Sequence, residues 1–525
     1  MEQHIKYNHT LNNVRRGFFS NLFSSTAVLL LAVLLSSCGH AQNNDYRRSN
    51  SLSDSLFSVV IDTSYSFIAY DSNRLVIPGD SSRMKAFAEK WYRVLQSGRG
   101  HVSIMQIGAS HVQGGTFPHQ IRRNLLLSAS SSITRGAASD SIFPISDRGM
   151  LFPYSAAVKC NNPFDYKVSR SHPLTLTRNV YKEPLERLGL CGIAVTASDS
   201  TAVIGISMNE PDLSFPVHTI LILGESPAGV TPQVKHLTPA GDTVALKLLN
   251  SDKSKRSFTF QSDIAIDSFL IVLPCKEGET FALTGVYLAA SKGELSREGI
   301  LPRPQHGITY HSIGVNGASV SDYLTKCPYL TTDLKLLKPD LVIFGIGIND
   351  AAGPNFDSAV FARRYLELVD SIRTVNPECA FIFITNNDSY KRVKRKYVVN
   401  NNGALAHDAF YRVAKQCGGA VWDQFTIMGG LKSMDRWCAN ELAQRDHIHF
   451  NRKGYQLLAD LFSNALLSTI QSMKPVQKTV KPAEQQDSLK VQEDSKPKPI
   501  FKNKKQRSDS LTEEELNERY NYILY

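Results

Sequence analysis

Four short segments carry the residue types that acyl-group chemistry needs. The first, Gly108-Ala109-Ser110-His111, follows the apolar run His101-Val102-Ser103-Ile104-Met105 and opens a stretch of helical character, so a serine hydroxyl stands where a strand gives way to a helix. The second, Gly314-Val315-Asn316-Gly317-Ala318-Ser319, is a glycine turn, where a backbone N–H can approach a ligand closely because no Cβ obstructs it. The third, Gly345-Ile346-Gly347-Ile348-Asn349-Asp350, puts an amide side chain just past an apolar strand. The fourth, Asp446-His447-Ile448-His449, lies directly before the last amphipathic helix of the body. Singly, each reads as an ordinary turn or helix cap. Together they offer a hydroxyl nucleophile, an imidazole base, a carboxylate to orient it and donors for an oxyanion.

These segments need a scaffold that brings four loops to one edge. The continuous apolar runs Asp340-Leu341-Val342-Ile343-Phe344-Gly345 and Cys379-Ala380-Phe381-Ile382-Phe383-Ile384 read as strands buried on both faces, and residues 357–374 between them as an amphipathic helix. Such alternation indicates a parallel, doubly wound sheet, whose sites form beyond the carboxyl ends of the strands. Between about 155 and 290 the rhythm changes to short alternating runs separated by polar or Gly/Pro turns. That pattern reads as an antiparallel β-sandwich. The expected architecture is α/β, interrupted by an inserted β domain.

The four segments resemble the sequence blocks of the SGNH (GDSL-like) hydrolase family. The resemblance spans roughly residues 85–130 and 305–472, and it implies a flavodoxin-like three-layer α/β/α domain with esterase, lipase, thioesterase or carbohydrate O-acetylesterase activity. Block by block, it implies Ser110 as nucleophile and the backbone N–H groups of Ser110 and Gly317 with the Asn349 amide as oxyanion donors. Asp446 and His449, at the family's D-x-x-H spacing, would complete the triad. One loop can aim both of these side chains inward, while His447 should point away and remains the alternative base. His111 and Asp350 are possible neighbours of the site. Where the family usually has Asp before the nucleophile, this chain has Ala109, which removes hydrogen bonds expected to brace the nucleophile turn. His111 after the serine and the β insert are similar to bacterial peptidoglycan O-acetylesterases, in which the insert resembles a carbohydrate-binding module. Arg148, Phe152 and Tyr154 resemble a segment of such enzymes, bordering the site or packed in the core.

The chain has 525 residues, 42% hydrophobic and 20% charged, ordinary globular composition with room for more than one domain. Residues 1–37 read as an export signal: Lys6, Arg15 and Arg16 precede a short apolar run. The run ends in Leu35-Ser36-Ser37-Cys38-Gly39, resembling a bacterial lipobox. By that resemblance Cys38 would be lipidated, tying the chain to the cell envelope (periplasm or outer membrane). Residues 38–82 read as a tether, 83–135 and 305–472 as the two parts of the hydrolase domain, and 136–304 as the insert. Residues 473–525 read as a basic disordered tail with a short terminal helix; between Lys474 and Arg507 there are ten Lys/Arg against four Asp/Glu. The formal charge is +11. The tail could meet an anionic envelope polymer or another protein, and nucleic acid is a poor candidate for an exported lipoprotein. No C-x-x-C pair or Cys/His cluster has metal-ligand spacing, and the chemistry implied requires neither metal nor organic cofactor. The seven cysteines after Cys38 leave disulfide formation open.

The expectation is therefore a lipid-anchored serine esterase that removes acetyl or similar acyl groups from a glycan through an acyl-enzyme. The same residues would also serve an O-acetyltransferase or a long-chain lipase or thioesterase, and Ala109 is consistent with an inactive glycan-binding scaffold.

Overall fold

The computed structural model describes residues 57–97, 100–133, 146–158, 160–184, 187–209, 215–252, 256–292 and 306–475. The expected export signal, Cys38, the basic tail beyond residue 475 and its terminal helix lie outside the described residues.

In chain order the first part comprises β1 (Leu75–Val76), α1 (Ser82–Ser97), β2 (Gly100–Gly108), α2 (Ser110–Gln113) and α3 (Thr116–Ile133). The insert follows: β3 (Gly149–Leu151), β4 (Tyr166–Arg170), β5 (Thr175–Arg178), β6 (Ile193–Ser198), β7 (Ala202–Met208), β8 (Val217–Glu225) and β9 (Gln233–Leu237), then β10 (Thr243–Ala245), β11 (Lys247–Asp252), β12 (Ser257–Ile266), β13 (Ser268–Leu273) and β14 (Thr280–Ala289). The second part holds β15 (His306–Gly314), α4 (Val320–Lys326), α5 (Leu330–Leu337), β16 (Leu341–Gly345), α6 (Ser358–Arg373), β17 (Ala380–Ile384), β18 (Tyr390–Val393), β19 (Lys396–Val399) and α7 (Asn402–Cys417). It closes with β20 (Ala420–Trp422), α8 (Gln424–Ile427), α9 (Met434–Ala439) and α10 (Arg452–Ser472).

One sheet joins the two parts in the order β1-β20-β17-β16-β2-β15. The pairs from β20 to β15 are parallel and only β1 runs antiparallel. Its central strands are apolar throughout because helices cover both faces: Leu341, Val342, Ile343 and Phe344 are all fully buried. Their side chains alternate between two cores. Ile343 joins α1, α3 and α10 on one face, whereas Val342 and Phe344 join α4 to α7 on the other. The three layers therefore match the expected α/β/α class. Helix α6 shows the supporting pattern, with Phe361, Tyr365, Leu368, Val369 and Ile372 buried at helical spacing and the Asp357 carboxylate accepting from the N–H groups of Ala359 and Val360.

The named strands of the insert all pair antiparallel, in a five-stranded sheet, β10-β9-β13-β7-β4, and a seven-stranded one built on β11-β12-β8-β14-β6-β5, with β3 on β14. Residues of both sheets share one core, among them Ile204, Phe269 and Ile271 from the first and Ile222, Phe258 and Phe281 from the second. Strand β13 alternates strictly, burying Phe269, Ile271 and Leu273, as a half-buried strand must.

Residues 57–81 do not behave as the expected tether. The Phe57 ring stacks on Tyr92 at 5.3 Å, β1 pairs with β20, and Asn73 bridges the Trp422 indole N–H and the Leu461 carbonyl. The segment is polar overall, but its spaced aromatic residues supply enough apolar surface to dock it on the sheet edge.

Candidate active site

Three glycines stand side by side where the site begins. Gly108 of β2 is in register with Gly314 of β15 and Gly345 of β16 at the carboxyl ends of the three strands. A Cβ on Gly314 would lie 2.6 Å from the Gln113 nitrogen and 2.7 Å from the Ala109 oxygen. Only a bare backbone lets the turn 109–113 sit this low against the sheet. That turn is short and well tied: the Ala109 carbonyl accepts from Val112 and Gln113, and the Ser110 carbonyl accepts from Gly114.

The Ser110 hydroxyl lies 2.8 Å from His449 Nε2, and His449 Nδ1 lies 2.7 Å from Asp446 Oδ2. The other oxygen of Asp446, Oδ1, accepts from the N–H groups of Ile448 and His449, both at 3.0 Å. The loop thus folds around its own carboxylate. Burial alone would raise the Asp446 pKa, but the bonds from His449 and the two backbone N–H groups hold it below the ordinary value. An ionised Asp446 keeps the proton on Nδ1, which leaves Nε2 as the acceptor for the serine hydroxyl. The Asn451 side chain caps α10 by accepting from Gly454 N–H, fixing the loop from behind.

Ser110 and His449 open on a cleft of about 300 Å³, also lined by Asn316, Gly317, Asn349, Ser389, Tyr390, Lys391 and Asn400. Gly317, at φ +87°, sits in a turn closed by the Ala318 N–H on the Val315 carbonyl. One N–H of the Asn349 amide donates to the Ala318 carbonyl at 2.9 Å. This fixes the side chain on the same turn and leaves its second N–H available. A serine, an imidazole with an oriented lone pair, a positive-φ glycine and a held amide on one cleft form an arrangement able to attack an ester carbonyl and bind the resulting oxyanion.

Of the two expected neighbours, His111 stands beside the base and Asp350 lies off the cleft. His111 directs Nδ1 to the Tyr455 hydroxyl at 2.8 Å, with its ring 5.2 Å from that of His449. Burial, with the His449 charge adding to it, pushes its pKa down to about 3, so His111 is a neutral partner beside the base. Asp350 does not line the cleft. Its carboxylate accepts from Val320 N–H at the start of α4, where Ser319 and Asp322 form a capping box, and burial raises its pKa to about 7. It therefore braces the second block against the third.

His447 turns away at φ +57°, its ring between Tyr390 and Tyr397 and its Nδ1 3.2 Å from Asp435. Arg148, Phe152 and Tyr154 are core residues. Arg148 pairs with buried Asp165, and the Tyr154 hydroxyl donates to the Gly314 carbonyl at 2.8 Å. The seven cysteines among the described residues are free thiols.

Two contributors escape sequence reading. Gln113 Oε1 accepts from Asn316 N–H at 2.7 Å, tying the nucleophile turn to the glycine turn. This contact joins residues far apart in sequence, so no local pattern announces it. The β18–β19 hairpin walls the cleft, yet its turn is Lys394-Arg395, without the Asn-Gly signal of a two-residue hairpin.

Residues 287–457 match the family model of the GDSL-like lipase/acylhydrolase family. That span includes Gly317, Asn349, Asp446 and His449; Ser110 lies before it, across the insert. Among solved structures, a peptidoglycan O-acetylesterase superposes with a TM-score of 0.58 at 20% identity, covering 76% of this chain and 99% of that one. A family two carbohydrate esterase from Cellvibrio japonicus gives a TM-score of 0.24 at 9% identity, over 58% of this chain and 99% of its own. An acetyl xylan esterase gives 0.24 at 15% identity, over 30% and 79%. No curated protein sequence matches. The chain therefore carries a domain of the GDSL-like lipase/acylhydrolase family and is an ester hydrolase of the SGNH type.

Proposed function

We propose that the protein is an envelope-anchored serine esterase that removes O-acetyl groups from a glycan of the peptidoglycan type. The observation that carries this reading is the unbroken chain from Asp446 through His449 to Ser110, at 2.7 and 2.8 Å, opening on a cleft with Gly317 and Asn349. Ser110 Oγ attacks the acetyl carbonyl as its proton passes to His449 Nε2. The oxyanion is held by Ser110 N–H, Gly317 N–H and the free N–H of Asn349. Collapse breaks the bond to the sugar oxygen, which takes the proton from His449. Water then attacks the acetyl-serine, again giving a proton to His449, and acetate leaves as Ser110 recovers its hydrogen.

Asn316, Ser389, Lys391 and Asn400 supply hydrogen-bonding groups on the cleft for sugar hydroxyls, beside the apolar Ile348, Ala352 and Ile448. A solved peptidoglycan O-acetylesterase with the same fold over most of both chains supports the glycan class. Lipidation at Cys38 would hold the enzyme at the envelope where such polymers lie. Ser110→Ala is expected to lower hydrolysis of p-nitrophenyl acetate by at least about 10³-fold with an unchanged melting temperature. Undiminished turnover by that variant would exclude Ser110 as nucleophile.

A further inference from the structure

The hairpin of β18 and β19 concentrates charge at the rim of the cleft. It pairs Tyr390 with Val399, Lys391 with Val398, Arg392 with Tyr397 and Val393 with Lys396, leaving Lys394 and Arg395 alone in the turn. Both turn residues have positive φ, 45° and 70°. Turns of this kind ordinarily carry Asn and Gly, which adopt that conformation with little strain. Lys and Arg at the tip accept a conformational cost that packing does not repay, because both are exposed.

Cross-strand partners share a face. The face of Tyr390 and Tyr397 rests on His447, with ring centroids 4.9 and 4.8 Å away, and Tyr390 N–H donates to the His447 carbonyl. The hairpin is thus rooted on the loop that carries Asp446 and His449. From the opposite face, Lys391 lines the same cleft as Ser110, its Nζ donating to the Gly353 carbonyl at 3.5 Å. Arg392, Lys394, Arg395 and Lys396 are exposed, and among the described residues no carboxylate comes within ion-pair distance of them. On the face of Lys391 and Lys396, Val393 and Val398 are 50% and 49% exposed, apolar surface of the kind that sugar rings cover.

We infer that this hairpin reads the substrate, and that the glycan is a polyanion whose carboxylates lie along Arg392, Lys394, Arg395 and Lys396 while an esterified sugar reaches Ser110. The inference rests on the esterase reading above and narrows its substrate class. A membrane surface would also attract cations, but a lysine inside the cleft ties the charge to the bound polymer.

The test uses the full chain and O-acetylated polygalacturonate, compared with the same polymer after its carboxylates are converted to amides. Each rate is divided by the same protein's rate on p-nitrophenyl acetate. The native chain is expected to prefer the charged polymer by about tenfold at low salt, since several exposed ion pairs each contribute modestly and are screened by salt. Combining Arg392→Gln, Lys394→Gln, Arg395→Gln and Lys396→Gln should bring that ratio close to one. An equal ratio in both proteins would overturn the inference. If neither protein hydrolyses any ester, the esterase reading fails instead. Binding of unacetylated polygalacturonate, followed by fluorescence anisotropy, then decides: weaker binding by the fourfold variant supports the arm, and equal binding overturns it. Hairpin-dependent binding to phosphatidylglycerol vesicles with none to polygalacturonate also overturns it.

Discussion

Ala109 is fully buried and offers no side-chain hydrogen bond, so the nucleophile turn must be held by other means. Its own carbonyl does part of this by accepting from Val112 and Gln113. Gln113 does the rest by reaching across to Asn316 N–H. The brace that the family usually places before the serine is replaced by one three residues after it. Gln113→Leu is expected to lower kcat about tenfold, the scale of one misaligned oxyanion donor, while KM changes less than twofold. Gln113→Glu keeps the acceptor and should recover most of that loss. Equal loss in both variants, or a loss confined to KM, would show that Gln113 does not position the turn. That Ser110, Asp446 and His449 come together was legible because the family's sequence blocks, with their D-x-x-H spacing, are local patterns. Gln113 was not, because its role exists only once β2 and β15 lie side by side.

At the scale of elements, the site depends on how closely α2 approaches the sheet. A methyl on Gly314 would press on the backbone of Gln113 and Ala109 at 2.6 and 2.7 Å, contacts no rotamer change can relieve. Gly314→Ala should therefore cost about 1–3 kcal/mol of stability and lower activity more steeply than stability, because what must shift is the Ser110 turn. Gly353→Ala, where an added Cβ meets nothing within 4 Å, provides the control. A thermal melt and an esterase assay on both variants check this, and a native-like Gly314→Ala would refute the packing argument. The parallel strands were legible from their unbroken apolar runs, and the insert from its alternating ones. The hairpin was missed since a cationic turn carries no turn signal, and the docking of residues 57–81 since spaced aromatics in a polar stretch show no period. In both cases tertiary contacts, with His447 and with Tyr92 and Trp422, decide the structure.

Across the whole molecule, buried carboxyls couple the two domains to pH. Asp333 of α5 is 1% exposed, and its Oδ2 accepts from the N–H of Leu190 in the insert at 2.8 Å. Burial pushes its pKa up to about 6 from 3.8, against the partial relief of that N–H and of Arg256. The folded chain thus binds a proton more tightly here than the unfolded one. Its contribution to stability is greatest below pH 4 and falls as pH rises to about 6, beyond which the penalty is constant. His407, raised mainly by its bond to Asp423, loses its contribution as pH rises above 6.5 through its folded value. Asp423 and Asp446 act in the opposite sense, because burial is outweighed by their hydrogen bonds, so stability is lost as pH falls below 3.8. His111, held neutral mainly by burial, also loses stability as pH falls, from 6.5 downward, so it opposes Asp333 and the Asp333 contribution is isolated only by comparing variants. Asp333→Asn keeps an acceptor for Leu190 N–H but cannot ionise. Relative to the native chain it should gain on the order of 2 kcal/mol between pH 4 and pH 7. Urea unfolding of both proteins at the two pH values measures this difference directly. A stability gap that does not change with pH would mean that Asp333 enters the fold ionised, held by Arg256 rather than by its proton.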